Sequence, residues 1–482
     1  MLFLPELPGR FPVGATTFIT PVRSPRTVGS FKLRSQSDAP QSALYLEEVA
    51  FTAYYPANIS NTTRKGLNWL IRPVKESLRG LAHFSNIPHW VLWPIVYLFG
   101  SLIKIPVYPN APLARPVKVS SNKAKVEYEQ WPLVIFSHGL GGSRTAYSQI
   151  CSRLATSGKV VLAMEHRDGT GCVCIRRVRN ADGTHGLEPM LYYKEHDVVL
   201  DNTKDQDNAT PLPLRTDQLE FRREEIYTAY QTFSQFLQND PSSELGTIDN
   251  SQIDSTSWSY VDPTSGKGPV CFEANVSLAG HSFGGCTVLS ILSTEPPPKY
   301  LHIPATHALV LDPWLEPLAT PGPAPLAQTL ASLSHNASSL SNSTGSTSSA
   351  QRTLGGSEVK DHSLPAMLVI NSETFTLWKD HYTRLEDVIS AWEPHGQRIL
   401  TLVASRHTDF SDFPLLPVIR TAKAKKIMDV FSKLSIAFLE GQLEQELEKT
   451  STRKMDIEIA GKKKDGRPKR KLVGAVGDVV IA

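Results

Sequence analysis

Residues 275–286 have the sequence Asn275-Val-Ser-Leu-Ala-Gly-His-Ser282-Phe-Gly-Gly-Cys286. The apolar residues of the first half, Val276, Leu278 and Ala279, are typical of a parallel strand that is covered on both faces. The second half has the pattern Gly-x-Ser-x-Gly, whose small residues leave room for a sharp turn from a strand into a helix. Such a turn would hold the Ser282 hydroxyl above the edge of the sheet. The stretch therefore predicts a strand, a tight turn with an exposed serine, and a helix.

Further apolar runs of strand length alternate with segments of helical pattern along the chain. The predicted strands include 44–55, 131–136, 160–164, 307–312, 365–371 and 398–404, and the predicted helices include 215–237 and 422–447. Strands that alternate with helices favour a mostly parallel central sheet with helices on both faces. The chain is therefore expected to have an α/β fold in one elaborated domain.

The two ends and one internal segment differ in composition from this domain. Residues 1–43 are rich in Pro, Arg, Thr and Ser and are expected to be largely unstructured. The domain is expected to span residues 44–449, with a low-complexity insertion at about 320–362. Thr329–Thr353 contains thirteen Ser/Thr in twenty-five residues, which is why this insertion is not expected to pack. Residues 450–482 are expected to form a disordered basic tail.

The net charge of the 482-residue chain is only +3 and is unevenly distributed. Residues 450–482 contain nine Lys/Arg and four Asp/Glu, hence +5, which leaves −2 for the rest of the chain. A body without excess positive charge argues against nucleic acid as a partner. A solvated charge run is the simplest interpretation of the tail, with a nuclear-import signal or a weak contact with an anionic surface as alternatives.

The five cysteines are odd in number and lack the paired spacing of a metal site. The nearest pair, Cys172-Val-Cys174, offers two thiolates, and two thiolates alone rarely hold zinc. The N-terminal residues 1–8 lack the basic start and the apolar core of a signal peptide. No metal and no cofactor are expected, and the expected location is intracellular, in the cytoplasm or associated with a membrane.

Trp90–Ile103 is the most apolar stretch of the chain. Its fourteen residues would form about 21 Å of helix, less than the roughly 30 Å hydrocarbon core of a bilayer, and Pro94 interrupts the run. The stretch is therefore not expected to span a membrane. Two interpretations remain, a helix buried in the core, which we favour, and an exposed patch that contacts a membrane or lipid surface peripherally.

A serine hydroxyl becomes a good nucleophile only when a base removes its proton, and the base needs an acid to orient it. Where the serine follows a strand in this way, the acid and then the histidine come later in the chain. Asp312 ends a predicted strand and is the best placed acid, with Glu316 and Glu373 as competitors. His407 follows the strand 398–404 and is the best placed base. The predicted catalytic triad is therefore Ser282, Asp312 and His407.

Other polar residues near these positions have simpler interpretations. Asp409 and Asp412 lie close to the predicted base in the sequence, but neither is assigned as the acid of the triad. His138 is more simply a hydrogen-bonding residue that fixes its loop than a catalytic group. The cluster Glu165-His-Arg-Asp168 closes a predicted strand and is interpreted as an ion-pair network that fixes a loop.

Backbone N–H groups are predicted to stabilise the negative charge that develops on an attacked carbonyl. One would come from Phe283, at the start of the helix that follows the serine. The other would come from Leu140 in Ser137-His-Gly-Leu-Gly141, whose glycines let the backbone face a pocket. The predicted oxyanion hole therefore consists of Leu140 and Phe283.

Several motifs of the chain occur together and in a fixed order. They are Phe136-Ser-His-Gly-Leu-Gly-Gly142, Glu165-His-Arg-Asp168, Gly280-His-Ser-Phe-Gly-Gly285, Leu311-Asp-Pro-Trp314, Ile370-Asn-Ser-Glu373 and His407-x-x-Phe410-x-Asp-Phe413. As an ordered set they resemble the plasma/type II platelet-activating factor acetylhydrolases. The matching runs spread from about Leu44 to Phe431. The missing secretion signal, the Ser/Thr-rich insertion and the basic tail depart from the family pattern.

The resemblance implies an α/β-hydrolase fold and a calcium-independent phospholipase A2-type esterase. The substrate would be the short or oxidised sn-2 acyl ester of platelet-activating factor-like phospholipids. It also implies that Ser282, Asp312 and His407 form the triad, and that Leu140 and Phe283 form the oxyanion hole. Apolar surface near Trp90–Ile103 could meet lipid.

Two other functions are compatible with the same sequence. One is a general carboxylesterase, lipase or polyester hydrolase, because Gly-His-Ser-x-Gly also serves those enzymes. The other is a non-catalytic lipid-binding protein that keeps the fold, although the complete set of Ser282, Asp312 and His407 argues against it.

Overall fold

The computed structural model describes most of the chain. The described residues are 2–34, 41–59, 66–116, 130–179, 185–201, 212–320, 322–326, 364–393, 398–462 and 464–481. The low-complexity insertion predicted at about 320–362 lies almost entirely outside them, and it stays a prediction.

The strands of the described residues are numbered in chain order. They begin with β1 (Leu2–Phe3), β2 (Val13–Thr27), β3 (Phe31–Leu33), β4 (Tyr45–Pro56), β5 (Leu67–Asn68), β6 (Ile103–Ile105), β7 (Tyr108–Pro109), β8 (Trp131–Ser137), β9 (Val160–Glu165), β10 (Val173–Arg179) and β11 (His185–Leu191). They continue with β12 (Val198–Leu200), β13 (Gly246–Thr247), β14 (Val270–Cys271), β15 (Val276–His281), β16 (Ala305–Leu311), β17 (Ala366–Ser372), β18 (Ile399–Leu402), β19 (Thr452–Lys454), β20 (Ile457–Lys462), β21 (Pro468–Leu472) and β22 (Val479–Ile481).

The α-helices are numbered in the same way. They are α1 (Val74–Ser85), α2 (His89–Leu98), α3 (Ser148–Thr156), α4 (Pro213–Leu237), α5 (Ser255–Trp258), α6 (Phe283–Leu292), α7 (Glu373–Thr376), α8 (Lys379–Ser390), α9 (Ala422–Leu439) and α10 (Leu443–Lys449). Short 3₁₀ turns occur at Gly100–Leu102, Glu195–Asp197, His407–Phe410 and Phe413–Leu415. The helix predicted over 422–447 is divided into α9 and α10, because Gly441 takes a left-handed φ of 67° between them.

One large sheet organises the fold. Its strand order is β13-β2-β4-β9-β8-β15-β16-β17-β18-β22-β19. The six central strands from β9 to β18 run parallel to one another, while β4 joins β9 and β22 joins β18 antiparallel. The predicted α/β-hydrolase architecture, a mostly parallel sheet with helices, is confirmed. The parallel strands bring their carboxyl ends to one edge, where α/β proteins bind their ligands.

The two faces of this sheet pack against different helices. On β8, Leu133 and Ile135 belong to a core shared with α4 and α6, while Val134 and Phe136 belong to a second core shared with α3 and α9. Side chains that alternate along a strand point to opposite faces, so a strand covered on both sides must be apolar at every position. This explains why the apolar runs of the sequence were continuous.

The prediction that residues 1–43 are largely unstructured is wrong. Within this segment β2 pairs with β4 from Val13↔Pro56 to Thr27↔Tyr45, in the main sheet. Most of its β-branched and aromatic residues, among them Phe18 and Ile19, are buried. The prolines that suggested a loop fit because the register shifts between Pro21 and Arg26, where the ladder is irregular.

The prediction of a disordered tail over 450–482 is also wrong for the described part of that segment. Val479 and Val480 are buried, and β22 adds an antiparallel strand to β18 at the sheet edge. The charged residues before it form the hairpin of β20 and β21. The charged composition of the segment predicts disorder, but its last residues form a short apolar strand. Pairing with the edge of the sheet stabilises that strand.

Most of the apolar stretch Trp90–Ile103 lies in α2 and a 3₁₀ turn, and Ile103 begins β6. The favoured interpretation of this stretch, a helix buried in the core, is wrong. Within α2 only Val96 is buried, whereas Trp90 is 77% exposed and Leu98 is 59% exposed. In the described part of the chain, no helix combines the length and the apolar character that a membrane span requires.

Candidate active site

The Ser282 turn has the sharp geometry that the sequence predicted. Ser282 links β15 to α6 with φ 57° and ψ −119°, a combination that L-residues rarely adopt and that marks a strained, functional position. A Cβ on Gly280 would lie 2.2 Å from the Gly284 carbonyl oxygen, and one on Gly284 would lie 2.0 Å from the Ser137 oxygen. Glycine is therefore required on both sides of the serine, because the strand, the turn and β8 approach too closely for side chains.

Ser282, His407 and Asp312 converge although they are far apart in the sequence. Ser282 Oγ lies 2.9 Å from His407 Nε2, and His407 Nδ1 lies 2.8 Å from Asp312 Oδ2. Asp312 is fully buried, while a third of the His407 side chain is exposed. An ionised Asp312 accepts a hydrogen bond from Nδ1–H of His407, which leaves Nε2 as the acceptor for the serine hydroxyl. The arrangement can remove a proton from Ser282.

Ser372 holds the buried carboxylate of Asp312. Its N–H donates to Oδ1 at 2.6 Å and its hydroxyl donates to Oδ2 at 2.5 Å. Two donors that supplement His407 compensate the cost of burying a charge away from water. Ser372 ends β17, the strand next to the one that carries Asp312. The motif Ile370-Asn-Ser-Glu373 contained this residue, although its role was not inferred.

Three contacts position the imidazole of His407. The ring of Phe375 stacks on it, with centroids 4.2 Å apart and an interplanar angle of 3°. Glu373 accepts the N–H of Ala404 at 2.6 Å, which fixes the turn before the histidine, and Asp409 accepts the N–H of Arg406 at 2.7 Å. Glu373 and Asp409, two of the rejected acids, therefore support the loop of His407. Phe375 was not identified from the sequence, because nothing in its local pattern shows a contact with a ring 32 residues later.

The remaining competitors for the acid lie elsewhere. Glu316 makes no hydrogen bond to His407, and burial raises its pKa. Asp412 is buried at the N-terminus of α3, where it accepts from Ser148 and Gln149 of that helix and from the Trp69 indole. It anchors α3 and takes no part in the triad.

The two predicted oxyanion residues lie beside the serine. Phe283 is the first residue of α6, so its N–H has no acceptor within the helix. Gly139 approaches Ser282 so closely that an added Cβ would lie 2.8 Å from the serine Cβ, which brings the 138–142 loop next to the nucleophile. Among the described residues, no group accepts the Leu140 N–H. Both N–H groups are therefore available to a bound ligand.

Buried histidines fix this loop. His138 Nδ1–H donates to the Gly139 carbonyl at 2.8 Å, and its Nε2 accepts the N–H of His166 at 3.2 Å. Burial and the nearby Arg222 lower the pKa of His138 to about 3, which keeps this ring neutral. The interpretation of His138 as a loop-fixing residue is confirmed. The Tyr147 hydroxyl links the same loop to His281, 2.8 Å from its Nδ1.

Arg222 of α4 is a fully buried link between the two halves of the oxyanion site. Its guanidinium donates to the His138 carbonyl at 2.8 Å and to Thr170 Oγ1 at 2.6 Å, and it forms an ion pair with Asp168 at 2.8 Å. It also lies over the Phe283 ring, 4.4 Å from the centroid. Sequence spacing could not identify it, because a charged residue on an amphipathic helix normally faces water.

The cluster of residues 165–168 forms the predicted ion-pair network. Glu165 pairs with Arg144 at 2.5 Å, Arg167 pairs with Glu48, and Asp168 pairs with Arg222. Within it, His166 contacts Ser137 Oγ at 2.8 Å and Glu225 at 2.6 Å, a second Ser-His-acid arrangement. All three are buried, so a substrate could not reach them, and their role is structural.

In the described part of the chain, His281, Asp312 and His407 are the only group of side chains close enough to suggest a metal site. Two of the three are already bonded to each other in the triad. Burial and the neighbouring His407 lower the pKa of His281 well below its ordinary value, which favours its neutral form. The thiols of Cys172 and Cys174 are free and buried, and burial raises both pKa values to about 12.

Comparisons with known proteins identify relatives of this chain. The family described as platelet-activating factor acetylhydrolase, isoform II, matches residues 5–328, about two thirds of the chain, including Ser282 and Asp312. A platelet-activating factor acetylhydrolase of Gallus gallus is 24% identical over 82% of this chain and 78% of its own length. A putative phospholipase A2 of Schizosaccharomyces pombe is 31% identical over 57% of this chain and 58% of its own length.

Among solved structures, a ferulic acid esterase from Streptomyces cinnamoneus superposes with a TM-score of 0.47 at 14% identity. The superposition covers 92% of this chain and 94% of that esterase. The family match extends over well more than half of the chain and includes the strand, the turn and the helix around Ser282. The chain therefore belongs to the platelet-activating factor acetylhydrolase family, isoform II, and is a serine ester hydrolase with the α/β-hydrolase fold.

Proposed function

We propose that this enzyme hydrolyses the short or oxidised sn-2 acyl ester of platelet-activating factor-like glycerophospholipids, without calcium. The observation that carries the proposal is the hydrogen-bonded chain Ser282–His407–Asp312, with distances of 2.9 and 2.8 Å. The names of the relatives, platelet-activating factor acetylhydrolase and putative phospholipase A2, support a phospholipid as the substrate.

In the proposed mechanism His407 removes the proton of Ser282 as the serine oxygen attacks the sn-2 carbonyl carbon. Asp312 stabilises the imidazolium that forms. The tetrahedral intermediate collapses when His407 returns the proton to the sn-2 oxygen of the glycerol backbone, which releases the lysophospholipid. Water, activated by His407 in turn, then hydrolyses the acyl-serine to the free acid.

The backbone N–H groups of Leu140 and Phe283 are the proposed oxyanion hole. They lie on the two elements that flank Ser282, and neither has an acceptor in the described part of the chain. Each N–H would form its strongest hydrogen bond when the carbonyl oxygen becomes negatively charged in the transition state. The fold already orients both donors, so no reorganisation is needed at that point. The loss of one such donor typically costs about 3 kcal/mol of transition-state stabilisation.

The decisive experiment compares Ser282→Ala with Ser290→Ala, an equal change on the helix that follows. We expect Ser282→Ala to lower kcat about 10⁶-fold on a 2-acetyl phosphocholine substrate, to the level that the oxyanion hole and substrate binding provide. Ser290→Ala should retain activity. If Ser282→Ala turned over substrate nearly as fast as the unmodified protein, the triad assignment would be refuted. A fluorophosphonate probe that fails to label Ser282 would favour the non-catalytic lipid-binding alternative.

A substrate panel separates the phospholipase from a general carboxylesterase, lipase or polyester hydrolase. We expect a higher kcat/KM for short-chain sn-2 phosphocholines than for simple aryl esters of the same acid, and no change when calcium is chelated. The contrary ranking would favour the general esterase, and a loss of activity with a chelator would contradict calcium independence.

We also propose that α2 makes the peripheral contact with the lipid surface. Its exposed face contains Trp90, Trp93, Ile95 and Leu98, which is more apolar surface than a solvated helix normally shows. The adjoining helix α1 reaches the oxyanion loop, because Phe84 lies against Gly141. A lipid bound at α2 would therefore be close to the active site.

The contact is testable with vesicles of zwitterionic phosphatidylcholine. The double variant Trp90→Ala/Leu98→Ala should lower partitioning at least about tenfold, because both side chains lose apolar area that would leave water. The control is Val261→Ala/Leu301→Ala. It removes two apolar side chains outside α2, which are 56% and 81% exposed. Equal partitioning of the two double variants would contradict the role of α2.

We further propose an intracellular location with partial membrane association. The five cysteines are free thiols, and four of them are buried, which suits a reducing compartment. Fractionation of the native cell with an antibody against the chain tests this proposal, and recovery from the medium alone would contradict it.

A further inference from the structure

The hairpin of β20 and β21 (residues 457–472, here called the basic hairpin) is set apart from the core. Its two strands pair only with each other, and every residue of β20 is exposed. Exposure includes apolar side chains, since Ile457 is 46% and Ile459 is 69% exposed. An isolated two-stranded hairpin is marginally stable in water, and apart from Leu472 at its base the described residues of this one do not pack into the core. Its exposed surface therefore calls for another explanation.

The basic hairpin carries a concentrated positive charge. Residues 457–472 contain seven Lys/Arg and two Asp/Glu, whereas the chain before residue 450 has a net charge of −2. Both acids are already paired, Glu458 with Lys471 at 2.8 Å and Asp465 with Arg467 at 2.6 Å. In the described part of the chain the other cations have no ion-pair partner; they are Lys462, Lys464, Lys469 and Arg470. Four cations therefore remain free to meet an external anion.

The base of the basic hairpin is attached beside the active site. Leu472 is buried in a small cluster with Val403 and Val480, and Leu377 and Ala404 pack against it. Val403 and Ala404 lead into the His407 turn, and Leu377 follows the helix α7 that contains Phe375. The hairpin therefore projects from the rim on which the catalytic histidine is held.

We propose that the basic hairpin docks the enzyme on membranes that contain anionic phospholipids. The inference rests on the proposed function, because a phospholipid esterase must meet its substrate at a lipid surface. Lysine and arginine are attracted to the negative surface potential of such membranes, and the exposed isoleucines can enter the interface between them. Each cation contributes about fivefold to partitioning at low salt. The hairpin thus adds headgroup selectivity to the apolar contact of α2.

The test measures co-sedimentation with vesicles, using the 482-residue chain with Ser282→Ala so that binding does not depend on turnover. The vesicles are pure phosphatidylcholine or contain about 30% phosphatidylserine. The hairpin variant carries Lys462→Gln, Lys464→Gln and Lys469→Gln. The matched control removes three exposed charges elsewhere, by Arg10→Gln, Lys267→Gln and Lys299→Gln. Thermal unfolding of each variant checks that the fold is kept.

We expect the hairpin variant to lose about 100-fold in partitioning to phosphatidylserine vesicles at low salt, and to bind phosphatidylcholine as before. The control should change less than threefold, and salt should weaken the binding of the unmodified hairpin. The inference would be overturned if both variants lost partitioning to phosphatidylserine vesicles equally, or if the hairpin variant lost none. Tighter binding to duplex DNA than to the vesicles at the same salt would also overturn it, in favour of nucleic acid. Because the assay records binding only, a failure of the proposed esterase activity would be seen separately.

Discussion

Replacement of Arg222 by methionine should disable the oxyanion site without touching the triad. The guanidinium holds the carbonyl of His138, on the loop that presents Leu140, and lies 4.4 Å from the ring of Phe283. Methionine has a similar length but no donors and no charge. The loop should therefore lose its fixed position relative to the helix, and with it the alignment of one N–H donor.

The magnitude has two parts. Loss of one oxyanion donor lowers kcat by about 10² to 10³, and KM should change little because the donor acts mainly in the transition state. In addition, the carboxylate of Asp168 stays buried without its cation, which costs about 3–5 kcal/mol of unfolding free energy. The partly compensating donors are the N–H and hydroxyl of Thr170, at 3.0 and 2.5 Å from Asp168.

A second variant separates catalysis from folding. Arg222→Met/Asp168→Asn removes both charges, so most of the unfolding free energy should return. The kcat should stay low, because the bond to the His138 carbonyl and the contact with Phe283 are still missing. The assay is hydrolysis of a soluble short-chain ester, with urea unfolding of each variant. A stable double variant with kcat close to that of the unmodified enzyme would refute the positioning role of Arg222.

Two further predictions follow from side chains around the site. Phe375→Ala removes the ring that stacks on His407. Such a contact contributes about 0.5–1.5 kcal/mol, so kcat should fall about two- to tenfold, and Phe375→Tyr should restore it; an unchanged kcat would contradict the positioning of His407 by this ring. Burial raises the pKa of Asp412 to about 7, above its ordinary value near 4. The folded state then keeps a proton that the unfolded chain has lost, so this carboxyl should lower the unfolding free energy by roughly 4 kcal/mol as pH rises from about 4 to about 7. Urea unfolding across this pH range should show that the unfolding free energy falls more in the unmodified protein than in Asp412→Asn. Equal pH dependence of the unfolding free energy in the two proteins would contradict the prediction.

The local sequence was sufficient to predict the structure where only a few residue types can occupy a position. Around Ser282, only glycines can occupy positions 280 and 284, because the strand, the turn and β8 are in contact there. The apolar runs of the central strands were equally informative, since a strand covered on both faces must be apolar throughout. The distant partners Asp312 and His407 could be assigned because each follows a predicted strand and because the acid and then the histidine come after the serine in the chain.

The same local signals failed where a distant segment supplied the stabilisation. Residues 13–27 look like a loop by composition but form a strand, because β4 offers a complete ladder of partners. Residues 479–481 are a few apolar residues behind a charge run, yet the open edge of β18 pairs with them. Conversely, the apolar stretch that is expected in the core forms the largely exposed helix α2. This helix contacts the core through Val96, with Leu92 and Tyr97 partly buried beside it.

By itself, the sequence determined the parallel sheet, the nucleophile turn and the identity of the acid and the base, because each depends on residue type and order along the chain. The tertiary structure alone decided which side chains hold those groups in place. Ser372, Phe375 and Arg222 reach their partners across 60, 32 and 84 residues of chain, respectively. No local pattern encodes such contacts, since they arise only when packing brings separate strands and helices to one edge of the sheet.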